Sequence, residues 1–337
     1  MAHSRPTGFL MSMVNGAALL LAGCGGGDGG SRLPSADFDY TPPTSAQLQE
    51  IQTLWSGRDL AARNVSVFHR DDSNAVYELR IYEHMVGNRL HYGAVTIPKG
   101  AAIAQFPVVL FADGLAQDNP NMDIGRWAQS AQARLGQAIF VVPAFRGRTL
   151  IYNGISVNAA GDFCDAYDGA TDDAIALLNV VEAAIPQADF SRLMARGGSR
   201  GGNTALLLAV RDSRVTVASA ASAPTDFYRQ EVAARYGRQY RCQFIDGKTA
   251  EESRRRMLAS SPLLFPILRN VTKVYLDQGS LDDVVPLWNA EEMAAAMRTQ
   301  GVNLEYHVYS SYGHDLGASP EFRLVQQQIY DWFLAGT

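Results

Sequence analysis

Gly197-Gly198-Ser199-Arg200-Gly201, with its serine flanked by glycines two residues either side, is the stretch of this sequence best suited to chemistry. An apolar run, Leu193-Met194-Ala195, precedes it, and a helix-forming run from Asn203 to Val210 follows at once. This is the spacing of a nucleophile elbow. A turn tight enough to lift a hydroxyl above a strand end puts the serine in strained backbone angles. Side chains two residues before and after it would collide with the neighbouring strand and helix. Free N–H groups at the start of the following helix face the place where an oxyanion would form. The chemistry implied is nucleophilic attack on a carbonyl group.

A serine hydroxyl is a weak nucleophile at neutral pH; it needs a base, and the base needs an orienting acid. Where the serine sits on an elbow, acid and histidine follow it in that order along the chain. Two histidines lie downstream. His307 falls in the alternating run Leu304–Tyr309, a structural position, whereas His314 lies in Ser310–Asp315, a loop at the sheet edge that carries the elbow. His314 is therefore the candidate base. The acid should leave the preceding strand, where the run from Leu276 to Pro286 supplies Asp277, Asp282 and Asp283. Asp277 still belongs to the strand and sits too low; Asp282 and Asp283 share the turn, and the residues alone leave both open.

The elements that must position these groups read as follows. A helix is expected around Ala46–Leu54. Val76–Tyr82 and Leu90–Ile97 alternate apolar and polar residues, as antiparallel strands with one wet face do, joined by a turn at Gly87-Asn88. Continuous apolar runs at Pro107–Ala112 and Gln137–Val142 predict strands covered on both faces. Helices are expected at 125–134, 172–184 and 203–211, then strands at 215–221 and 271–276, a helix at 287–299, a strand at 303–309 and a last helix near 320–334. This alternation predicts a mostly parallel, doubly wound α/β sheet opened by antiparallel strands. Residues 225–262 interrupt it with Tyr228, Tyr236, Tyr240 and seven arginines. Leaving the strand after the elbow helix, this insertion is expected to overhang Ser199 as a lid or substrate wall. His69, His84 and His91 match no metal-site spacing and read as surface or strand histidines.

The chain has 337 residues, 47% hydrophobic and 19% charged, with a formal net charge of −5. That is a globular protein with a large core, and its acidity argues against a nucleic-acid partner. Residues 1–23 read as a targeting segment: one basic residue, Arg5, then a short apolar run from Phe9 to Ala22. Leu21-Ala22-Gly23-Cys24 resembles the lipobox of bacterial lipoproteins, which implies cleavage before Cys24 and its lipidation. A glycine-rich tether follows within 24–45, leaving 46–337 as the folded domain. Gly25 after the cysteine implies, by the same resemblance, sorting to the outer membrane of the cell envelope. Cys164 and Cys242 then remain as a pair in an oxidising compartment, where a disulfide between them is expected, two separate thiols being the alternative.

The motifs taken together resemble the α/β-hydrolase superfamily, and within it the catalytic domain of the prolyl oligopeptidase family and its esterase relatives. Gly279, Asp282 and Val285-Pro286 are similar to that family's spacing around the catalytic acid, which favours Asp282 over Asp283. Ala144-Phe145-Arg146-Gly147 is similar to its Arg-Gly segment, and Ser261-Pro262 to a Ser-Pro ahead of a later strand. The similarity covers roughly residues 65–335. It implies the α/β-hydrolase fold and a triad of Ser199, Asp282 and His314 working through an acyl-enzyme, with no metal or organic cofactor. Two departures bear on the reaction. The chain is too short for the β-propeller of the family's full peptidases, and Phe111-Ala112-Asp113-Gly114-Leu115 lacks the tyrosine that often helps bind the oxyanion there. Backbone donors should then serve, those of Arg200 and of Leu115 or Gly114. The expected function is a serine hydrolase acting on esters, ahead of a peptidase on short peptides or a non-catalytic envelope binding protein.

Overall fold

The computed structural model describes residues 40–336, apart from 101, 117–118 and 132–133. The stretch expected to be a signal segment, Cys24 and most of the expected tether lie outside the described residues.

Helix α1 (Ser45–Ser56) opens the chain, with Thr44 and Gln47 closing its N-terminus as a reciprocal capping box. Three antiparallel strands follow: β1 (Arg63–Asp71), β2 (Tyr77–Val86) and β3 (Arg89–Pro98). Gly87, at φ +58°, makes the expected turn between the last two. Then come β4 (Phe106–Ala112), the short β5 (Asn121–Asp123), α2 (Ile124–Ala131), β6 (Ile139–Ala144), the short β7 (Thr149–Tyr152) and β8 (Ile155–Asn158), and α3 (Asp168–Ala184). The elbow region is β9 (Ala188–Gly198) and α4 (Arg200–Arg211), followed by β10 (Val215–Ala221). The insertion holds α5 (Gln230–Tyr240) and α6 (Ala250–Ala259); β11 (Lys273–Gly279), α7 (Trp288–Thr299), β12 (Leu304–Tyr309) and α8 (Pro320–Ala335) complete the chain.

Nine strands form one sheet in the order β1-β2-β3-β6-β4-β9-β10-β11-β12, parallel from β6 to β12. This is the α/β-hydrolase architecture. The chain leaves β4 toward β6 on one side and returns to β9 on the other. The crevice beyond the carboxyl ends of β4 and β9 is thus a topological switch point, the place where such sheets bind ligands. The loop after β4 and Ser199 meet there.

Two features were not anticipated. β1 is an edge strand, largely exposed on both faces, so it carries no apolar alternation. The small second sheet β5-β7-β8 is built from pieces three or four residues long. The insertion expected at 225–262 as a lid or substrate wall lies in the connection from β10 to β11. Phe227, Tyr228, Tyr240, Phe244, Met257 and Leu258 are buried in the main core, as parts of a fixed wall. Asn203, fully buried on α4, donates through Nδ2 to the carbonyls of Pro224 (2.8 Å) and Ser260 (2.9 Å), tying both ends of the wall to the elbow helix. The Cys164–Cys242 disulfide is present, with Cα atoms 5.3 Å apart across a separation of 78 residues. Loop-closure entropy puts its stabilisation at roughly 4 kcal/mol. Arg146 holds the Cys164 loop from beneath, pairing with Asp173 (2.7 Å) and Asp165.

The N-terminal helix docks through a buried charge cluster. Trp55 Nε1 donates to Asp168 (2.9 Å), which also meets Arg58 (2.7 Å) and Arg211 (3.0 Å). Burial raises the Asp168 carboxyl, but Arg211 and Arg58 outweigh it and hold the group below its usual range.

His84 and His91 are strand residues as expected, facing each other across β2 and β3, but neither is at the surface: each is 1% exposed. Burial, and then His91, push His84 down to about 4. Asp173, Arg146 and Arg89 are the other charged groups around the pair. Because the unfolded chain protonates His84 first, the group adds nothing above its unfolded pKa near 6.5. It costs stability as pH falls from there toward 4, by about 3 kcal/mol at the lower end. Replacing it as His84→Leu should flatten the fall in denaturation midpoint between pH 6.5 and 4, followed by urea unfolding; an unchanged slope would assign the acid sensitivity elsewhere.

Candidate active site

Ser199 sits between β9 and α4 at φ +55° and ψ −123°, a conformation forced on a residue with a side chain. The elbow glycines have the expected reason. A Cβ on Gly197 would lie 2.5 Å from the Ala112 carbonyl oxygen, and one on Gly201 1.9 Å from the same atom. The end of β4 therefore runs against the elbow with no room for a methyl group. Ser199 N–H is held by the Ala221 carbonyl at 2.8 Å, so it belongs to the scaffold. Arg200, as first residue of α4, leaves its own N–H without an intrahelical acceptor, beside the serine.

His314 Nε2 lies 2.9 Å from Ser199 Oγ, and His314 Nδ1 lies 2.9 Å from Asp282 Oδ2. The structure thus brings the three sequence-selected residues into one hydrogen-bonded line. The Asp282 carboxylate is fully buried and saturated: Oδ1 accepts from the amides of Val284 (2.9 Å) and Val285 (2.8 Å), Oδ2 from Gln278 Nε2 (2.8 Å). Asp283 is exposed. A carboxylate fixed this way points one lone pair at the imidazole and sets its tautomer, leaving Nε2 free to take a proton from Oγ.

Three further residues seat this line: Gly279, already singled out in the sequence, and Ser222 and Gln278, which were missed there. Gly279 lets the two loops touch, because a Cβ there would lie 2.2 Å from the Gly313 carbonyl oxygen and 2.5 Å from that of Tyr312. Ser222, at φ +47°, donates from Oγ to the His314 carbonyl (3.0 Å). Gln278 braces the Asp282 turn by a further bond to the Val285 carbonyl (2.9 Å). Only the glycine three residues before the aspartate carried a signal.

The rejected candidates pair with each other. Asp277 and His307 are register partners on β11 and β12, with Nδ1 and Oδ1 3.1 Å apart. Asp277 also accepts from Tyr309 (2.7 Å) and Gln326 (3.0 Å), and it raises the His307 pKa. Of the oxyanion candidates, Gly114 lies against the serine: a Cβ on it would be 4.0 Å from Ser199 Cβ. Leu115 follows, half-buried. Among the described residues no cluster of His, Cys, Asp and Glu could hold a metal.

A model of the prolyl oligopeptidase family matches residues 165–336, just over half of the chain. The chain belongs to that family. It is a serine hydrolase by this membership, and the matched span contains Ser199, Asp282 and His314. No curated protein matches the sequence. Among solved structures the fold is similar to acetyl xylan esterase 1 from Thermoanaerobacterium sp., at 15% identity and TM-score 0.61, covering 88% of this chain and 95% of that one. It is also similar to the Pyrococcus horikoshii acylaminoacyl peptidase, at 16% identity and TM-score 0.57, covering 77% of this chain but 42% of that one. An S-formylglutathione hydrolase from Agrobacterium tumefaciens matches at 15% identity and TM-score 0.54, over 80% and 99% of the two chains. These likenesses show the fold.

For this prolyl oligopeptidase family member, Asp282→Asn should lower kcat by roughly 10³–10⁴-fold by disturbing the imidazole tautomer. Asp283→Asn, at an exposed position, should stay within about twofold. Equal losses in a side-by-side ester assay would unseat the assignment of Asp282.

Proposed function

We propose that this protein is a serine esterase that cleaves carboxylic esters through an acyl-enzyme. The observation that carries the reading is the line from Ser199 Oγ through His314 to the buried Asp282, each link 2.9 Å long. Ser199 Oγ attacks the ester carbonyl as its proton passes to His314 Nε2. The tetrahedral oxyanion is met by the amides of Arg200 and of Leu115 or Gly114. His314 then returns the proton to the departing alcohol oxygen, leaving the acyl group on Ser199. A water, deprotonated by the same nitrogen, releases the acid.

An ester is favoured because the likeness to acetyl xylan esterase 1 extends over 88% of this chain and 95% of that one, whereas the acylaminoacyl peptidase likeness spans 42% of that protein. A cavity of about 590 Å³ reaches Asp113 in the loop after β4 and is lined also by Phe111, Asn121, Met122 and Trp127, mixed aromatic and polar walls that could take part of a substrate. A peptidase acting on short peptides is the second reading, supported by the family's peptidase members.

A fluorophosphonate should label the wild type at Ser199, and Ser199→Ala should lose both labelling and ester hydrolysis, with kcat down by roughly 10⁴-fold or more. Retained hydrolysis in Ser199→Ala would end this reading. Faster turnover of acyl-peptide amides than of matched esters would move it to the peptidase.

The proposed setting is the bacterial cell envelope, with lipid on Cys24 and the glycine-rich segment as tether. The lipobox-like residues before Cys24 support it. Cys24→Ser should move the protein from the membrane fraction to the soluble one with kcat unchanged; equal membrane association of both forms would refute the anchor.

A further inference from the structure

The Arg200 side chain does something its backbone role does not require. It is 1% exposed and turns from the elbow helix back under the loop after β4. There its Nε donates to the Asp113 carbonyl (3.1 Å) and its Nη2 to the Gly114 carbonyl (2.9 Å), while the guanidinium lies over the Phe145 ring, 4.4 Å from its centre. A second guanidinium, Arg148, equally buried, reaches the carboxylate of the same Asp113 at 3.3 Å. Two cations thus converge on two consecutive residues, the second of which is so placed that a side chain on it would approach Ser199.

A trans peptide unit is planar, with its N–H pointing opposite to its C=O. Every peptide bond described here is trans. Fixing the carbonyl of Asp113 therefore fixes the amide of Gly114, and fixing the carbonyl of Gly114 fixes the amide of Leu115. Both amides must point away from the guanidinium. We propose that Arg200 is a positioning residue for the oxyanion hole: its own N–H is one donor, and its side chain aims the donors contributed by the loop after β4. A charge-assisted bond to a carbonyl also polarises the peptide, making its N–H a stronger donor toward developing negative charge. The nucleophile and the far wall of the hole are in this way held by one residue. Burial, and then Arg148, lower the Arg200 pKa, but a guanidinium so far above neutrality stays charged at pH 7.

This inference rests on Ser199 being the nucleophile, so Ser199→Ala is assayed alongside; if it stays active, both readings fall together. With Ser199→Ala inactive, Arg200→Met and Arg200→Lys test the clamp, since every such variant keeps the backbone N–H. The readouts are kcat and KM on p-nitrophenyl acetate, and amide hydrogen exchange of a peptide containing residues 113–116. The expected result is a fall in kcat of roughly 100-fold for Arg200→Met with KM within about threefold, and a smaller fall for Arg200→Lys, which can reach one carbonyl. Exchange at 114 and 115 should quicken on the order of tenfold. Wild-type kcat in folded Arg200→Met overturns the proposal. A lowered kcat with unchanged exchange overturns it too, because the amides would then not be what Arg200 controls. Should Arg200→Met not fold, Arg200→Lys carries the test on the same readouts, wild-type values on either refuting the clamp.

Discussion

The whole active edge depends on one close approach. The carbonyl of Ala112 at the end of β4 lies where the side chains of residues 197 and 201 would be. Only glycine at both places lets α4 start directly above the strand, and only that start puts Ser199 at φ +55° with its hydroxyl outward. Gly202 extends the tolerance to the chain leaving β10, where a Cβ would meet Ala223 at 2.8 Å. Because these clashes involve backbone and short side chains, nothing can rotate aside to relieve them. The strained serine is stabilised from around it, by its N–H on Ala221 and by a helix whose next turns are fully buried.

The remaining parts hang on the same strand ends. The acid loop leaves β11 and the histidine loop leaves β12, and the missing side chain of Gly279 lets the second fold over the first. Leu281 N–H donates to the Tyr312 carbonyl at 2.9 Å, and Ser311 N–H to Ser280 Oγ at 3.1 Å, so the two loops form a single knit surface. Asn203 and the Cys164–Cys242 bridge then fix the insertion as a wall beside the elbow helix.

The legible parts of the sequence were those whose signal is local. Val108–Leu110 and Ile139–Val141 are apolar on both faces, and each is a central strand with nothing exposed. The serine with its glycines and the histidine after the last strand were picked out by residue type and position, and the acid three residues past Gly279 by its resemblance to the family's spacing; the structure places the three side chains within hydrogen-bond reach. β1 was missed because a strand wet on both faces has no period to read, and β7 because four residues pair only with segments the fold supplies. In the insertion the arginines dominate the composition and hide the signal of Phe227, Tyr228, Tyr240 and Phe244, which are buried. The Arg200 side chain was out of reach for another reason. Its partners are carbonyl oxygens, which every residue has, so no residue type marks them.

The Asp277–His307 pair shows how freely a parallel sheet makes imidazole–carboxylate contacts: two strands in register place side chains opposite one another whether or not chemistry follows. His307 and His314 have nearly equal side-chain exposure, 28% and 25%, and each lies within hydrogen-bond reach of an aspartate that is fully buried. An acylating reagent for imidazoles, such as diethyl pyrocarbonate, will therefore find both with similar ease, alongside the part-exposed His69. Loss of function would track only part of the label taken up. What distinguishes the two rings is the far nitrogen, which faces Glu305 in one and Ser199 in the other, so a reagent already bound to the serine would shield one histidine and leave its twin to react.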